Sequence, residues 1–151
     1  MATRSRRLPV QRSEVEYLIL ADTVEVLNGK LYMMGGGWDA LTTPSVETPV
    51  PISFACGVSV AWGERDDEHT LQLSIEDLDG IAVEEPLVAS FKTGSSPSAE
   101  RGSAGHVPFG IKGAFTFPNF GTYTIVAVLD GRSETSHKLQ FHVRAGGITP
   151  R

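Results

Sequence analysis

A chain of 151 residues with 40% hydrophobic and 21% charged content is long enough for one globular domain with a real core. The net charge of −5 argues against non-specific nucleic-acid binding, and the single cysteine excludes a disulfide framework or a multi-cysteine metal site. No apolar run reaches the roughly 18 residues of a membrane helix, and the basic start lacks the apolar segment of a secretory signal, so a cytoplasmic setting is expected.

Residues 1–13 hold Arg4, Arg6, Arg7 and Arg12 without an acid, interrupted by Pro9, and predict a flexible basic N-terminal arm. A single domain is expected over residues 14–145. From Val15 to Val26 the chain alternates, with Leu18, Leu20, Val24 and Val26 on one parity. Asp22 shares that parity, so either a bulge turns it out or donors near the following glycines hold its carboxylate, because a buried unpaired carboxylate is costly. Asn28-Gly29 then predicts a two-residue hairpin turn, since both residues tolerate the positive φ that a type I′ turn requires. On the return arm Leu31 and Met33 face one way, Tyr32 and Met34 the other, and the arm opens into Gly35-Gly36-Gly37-Trp38-Asp39.

Pro44, Pro49 and Pro51 make the next stretch an extended connection. Ile52, Phe54, Cys56, Val58, Val60 and Trp62 share one face of a regular strand. Ser53, Ala55, Gly57, Ser59 and Ala61 on its other face are small enough for something to pack closely there. Cys56 is expected in the core, with nothing nearby to activate it. An acidic loop over residues 63–68 precedes the strand of Leu71, Leu73 and Ile75, and Asp79-Gly80 turns the chain. Leu87, Ala89 and Phe91 continue as a strand, and residues 93–105, rich in Ser, Gly and Ala, predict a mobile loop. Val107, Phe109, Ile111, Phe115 and Phe117 share a parity, residues 118–121 turn, and Tyr123 to Leu129 is apolar on both faces, as in a central strand. Asp130-Gly131 turns into a last strand with Leu139, Phe141 and Val143 inward, and residues 146–151 form a tail.

Without a helical stripe anywhere, seven to nine short strands predict an all-β fold, a two-layer antiparallel β-sandwich. Gly121-Thr122-Tyr123 resembles the tyrosine corner of immunoglobulin-like domains, although the disulfide and core tryptophan of antibody domains are absent. The run from Ala21 to Tyr32, followed by Gly35-Gly36-Gly37-Trp38-Asp39, resembles the opening of an uncharacterised bacterial family of small β-sandwich domains. The likeness continues through Leu71–Gly80 and Gly121–Gly131. That family has no established activity, so the resemblance implies a sandwich domain and brings no catalytic residues.

The candidate binding residues are Asp22, Gly35, Gly36, Gly37, Trp38 and Asp39. The glycine run lacks the following helix and Lys-Ser/Thr of a phosphate loop. Asp66, Asp67 and Glu68 lie roughly 30 Å along a strand from Glu76, Asp77 and Asp79, too far to share a calcium ion. His69, His106, His137 and His142 lie singly, and no nucleophile elbow occurs. No catalytic residue, metal or cofactor is therefore expected. The expected function is a non-enzymatic protein-interaction or structural module that binds a protein partner or self-associates as a homo-oligomer. The alternative is a small-ligand or glycan site on the 35–39 loop, with Trp38 as a stacking platform and Asp22 or Asp39 as acceptors. Trp38 itself is expected to fold back as a plug on the open end of the sandwich in preference to anchoring an interface.

Overall fold

A computed structural model describes residues 12–94 and 101–146, which form nine strands and one short 3-10 turn at Trp62–Glu64. The strands are β1 (Glu14–Leu27), β2 (Lys30–Gly36), β3 (Ala40–Thr43), β4 (Val50–Val60) and β5 (His69–Glu76), then β6 (Leu87–Phe91), β7 (Gly105–Phe115), β8 (Gly121–Leu129) and β9 (Arg132–Ala145). They make two sheets, ordered β2-β1-β4-β7 and β3-β9-β8-β5-β6. Leu20, Phe54, Cys56 and Val58 from the first sheet share one buried cluster with Leu71, Ile125, Phe141 and Val143 from the second, so the core lies between the two. Every strand pairing is antiparallel except that of β3 with β9, which is parallel. The wholly antiparallel expectation is corrected there. Ala40–Thr43 sits between glycines and prolines and pairs with residues about a hundred positions later, so nothing local marked it as a strand.

Both Xaa-Gly hairpins form as expected. Asn28 and Gly29 take φ 51° and 73° between Leu27 and Lys30, and Asp130 and Gly131 take φ 53° and 68° between Leu129 and Arg132. The first hairpin does something its alternation did not predict. Residues Glu14 to Ala21 of β1 pair with β4, but beyond Ala21 the strand pairs only with β2. The tip returns toward the start of β1, where Gly29 and Leu31 line a shallow cavity with Tyr17, Gly57 and His106. Val24 meets Ala21 and Ala55 in a separate buried cluster. The hairpin is thus doubled back over the outer face of β4 and β7.

The small residues of β4 permit this. A Cβ on Gly57 would stand 2.1 Å from Tyr17 Cε1, so only glycine lets that ring lie on the strand. Ala55, Gly57 and Ser59 are consequently buried even though they point away from the core. The Tyr123 hydroxyl donates to the Asn119 carbonyl at 2.5 Å.

Ser13, assigned by sequence to the arm, is buried instead. Its hydroxyl accepts from the Ala61 amide at 3.0 Å and donates to Glu64 Oε2 at 2.6 Å, which fixes the chain before β1 begins. The rest of the expected arm, apart from the exposed Arg12, lies outside the described residues, as do positions 95–100 of the expected loop and all but Gly146 of the tail. The start of that loop is tied down, with Thr93 and Gly94 donating to the Arg65 carbonyl.

Candidate functional site

The doubling-back of β1 puts its corner at Asp22, and this decides where the carboxylate goes. Leu20 and Ala21 are both buried and Asp22 and Thr23 both exposed, so pleat alternation breaks at the bend. Asp22 is therefore not on the core side, and no described donor hydrogen-bonds its carboxylate, contrary to the expected anchoring near the glycine loop. The carboxylate lies against Gly35, whose φ is +64° and where a Cβ would come within 2.2 Å of Asp22 Oδ2. Glycine is required there twice over, for its backbone angle and for the space.

Asp22 and Trp38 line one cleft of about 330 Å³ with Ala21, Leu41, Thr42, Thr43, Val50, Pro51 and Ser53. Of the six candidate residues these two converge on the cleft, and Gly35 supports Asp22 from behind. Gly36 sits under Met33, Gly37 donates to the Leu20 carbonyl at 2.8 Å, and the Asp39 carbonyl accepts from the His142 amide at 2.7 Å. Those three serve the backbone and do not line the cleft. Trp38 is half-buried against the main core, and its indole Nε1 is buried with no acceptor in reach among the described residues. Thr42, Thr43 and Ser53 also line the cleft, the Thr43 hydroxyl donating to the Ser45 carbonyl at 3.0 Å; the sequence did not single them out, because the 42–51 connection read only as a proline-rich linker. The cavity between Phe54, Leu73, Val83, Leu87 and Phe115 holds about 10 Å³ and is too small for a ligand.

A second cluster forms where the 3-10 turn, the start of β5 and the β8–β9 turn meet. His69 at the start of β5, Glu64 in the 3-10 turn and Asp130 in the β8–β9 turn bring potential ligand atoms within 4.8 Å of one another. His69 Nδ1 lies 2.7 Å from Asp130 Oδ2, and its Nε2 lies 2.7 Å from the Glu64 carbonyl oxygen. A carbonyl and a carboxylate only accept, so this geometry is satisfied when each ring nitrogen carries a proton. Burial alone would push the His69 pKa down. The hydrogen bonds to Asp130 and to the Glu64 carbonyl, and the negative charges of both residues, outweigh it and hold the pKa above the ordinary histidine value. Asp130 Oδ1 accepts from the Thr70 amide at 2.9 Å, and Arg132 approaches Glu64 Oε1 at 3.7 Å. The sequence reading of four isolated histidines missed this cluster, since its members lie up to 66 positions apart.

Elsewhere the sequence reading of single groups holds. Cys56 is fully buried and burial pushes its thiol up to about 12, which makes it inert. Asp77 caps its own turn, accepting from the Asp79 and Ile81 amides. No helix among the described residues is long and apolar enough to cross a membrane.

These features define an all-β domain of two sheets around one core, with an open cleft at one corner and an exposed hairpin face. The sequence model of a family of unknown function, DUF6941, matches residues 16–144, and the chain belongs to that family. A search of curated proteins returned no match.

Proposed function

We propose that the protein is a non-enzymatic interaction domain, immunoglobulin-like in arrangement and working in the cytoplasm, that self-associates edge to edge through β2. The observation that carries this reading is the outward face of the doubled-back hairpin. Leu27, Tyr32 and Met34 are 51%, 54% and 72% exposed there, and β2 ends its sheet with one edge unpaired among the described residues. Exposed apolar side chains beside a free edge are what strand addition uses. Antiparallel pairing of two β2 strands about Met33 sets Tyr32 opposite Met34 of the other copy, an aromatic–sulfur pair, and Lys30 opposite Gly36, so no like charges meet. Two further observations support the immunoglobulin-like arrangement: the parallel β3–β9 pair, which lets the first part of the chain serve both sheets, and the Tyr123–Asn119 bond.

The register is tested with Met33→Cys. The one native cysteine is buried, so oxidation leaves the wild-type chain uncrosslinked. The variant is expected to form a disulfide-linked dimer on mild oxidation, and Cys placed at Glu47 is expected to stay monomeric.

A second reading is favoured by the cleft. An unbonded carboxylate and an indole on a cleft of about 330 Å³, which Thr42 and Ser53 also line, suit a small polyhydroxylated ligand. In a Trp62→Phe background, where Trp38 is the remaining tryptophan, quenching or enhancement of its emission by a panel of mono- and disaccharides would support this reading. Unchanged emission throughout would end it.

A further inference from the structure

We infer that Glu64, His69 and Asp130 form a site for one divalent zinc-type cation. Three side chains from separate segments offer one imidazole nitrogen and two carboxylates, a donor set suited to zinc and leaving a fourth position for water. Each of them is also anchored through an atom that the metal does not need. His69 donates Nε2–H to the Glu64 carbonyl, the arrangement that orients a metal-bound imidazole and leaves Nδ1 facing the other two ligands. Asp130 is held through Oδ1 by the Thr70 amide, leaving Oδ2 toward His69. Glu64 is held through Oε2 by the Ser13 hydroxyl, leaving Oε1, among the described residues, with only the long contact to Arg132.

The cluster already holds its ligand atoms near the spacing that a bound ion requires. Donors about 2.0–2.1 Å from a tetrahedral ion lie about 3.3 Å apart, so His69 and Asp130 part by well under about 1 Å from their 2.7 Å contact. Glu64 closes in by rotation of its side chain. The ion's two positive charges balance the two carboxylates. Arg132, 44% exposed at its side chain, is free to swing outward. The partly exposed carboxylates give the ion a way in, whereas His69 itself is covered.

The test is calorimetric titration of the chelator-treated full chain with zinc chloride at about pH 7. The expected result is one zinc per chain, with binding weakened about tenfold or more by Asp130→Asn and by Glu64→Gln. The Glu64 variant alters a half-exposed group and keeps the test valid if loss of the buried pair in Asp130→Asn unfolds the chain. Absence of binding up to about 1 mM zinc, a concentration at which even weak sites fill, would overturn the inference. So would zinc binding that both variants leave unchanged, because the ion would then sit elsewhere.

Discussion

At the scale of single residues, His69 carries the sharpest pH signature. Its pKa is raised in the folded state, so the stability it adds is fully present below the unfolded value of about 6.5 and disappears as pH rises through the folded value. Chemical denaturation in chelator, followed from about pH 6 upward, should show a decline across that window. Asp130→Asn should flatten it and lower stability on the acid side by about 1–3 kcal/mol, since it takes away the charged partner of a buried ring. A wild-type profile that rises over the same window would mean that the ring is neutral when folded. Trp38 makes a different demand. Trp38→Ala should cost about 2–4 kcal/mol by emptying the space that the indole fills against the core. Trp38→Phe should stay within about 1–2 kcal/mol of wild type, because the smaller ring also removes an N–H that is buried without an acceptor. Equal urea midpoints for all three proteins would show that the ring contributes no packing. Asp22 illustrates how far parity reaches: the rule assumes a strand that continues straight, and Asp22 sits where this one turns over.

At the scale of elements, the doubled-back hairpin rests on the absence of a side chain at Gly57. Gly57→Ala puts a methyl group into the Tyr17 ring and should cost about 1–3 kcal/mol. Combining it with Tyr17→Ala should recover part of that cost, so the two changes are strongly non-additive. Simple additivity would place the ring elsewhere. The two Xaa-Gly turns and the alternating strands were legible in the sequence because turn chemistry and pleat period are local. The fold-back was legible only as a row of small residues along β4, which announced close packing without naming what packs. β3 was not legible at all. Its four residues form a strand because β9 offers them an edge, and that is a tertiary circumstance. The cluster of Glu64, His69 and Asp130 was hidden for the same reason. Asp130 read as a turn residue and His69 as one end of a strand, and only sheet order brings the β8–β9 turn onto the start of β5.

At the scale of the whole molecule, the hairpin leaves an apolar face outside. Its inner face, Val24 and Leu31 included, covers the first sheet, while Leu27, Tyr32 and Met34 on the outward face are exposed among the described residues. Self-association through seven strand residues and three exposed apolar side chains falls at the small end of specific interfaces, below about 1,200 Å² in total, and a dimer of modest affinity follows. Sedimentation equilibrium of the full chain from about 1 to about 300 μM, the range in which so small an interface associates, tests this most directly. The wild type should move from monomer toward dimer across that range. Met34→Lys, which alters a side chain 72% exposed among the described residues, should remain monomeric with an unchanged melting curve. A wild type that stays monomeric throughout, or a Met34→Lys variant that associates as well as the wild type, would contradict it.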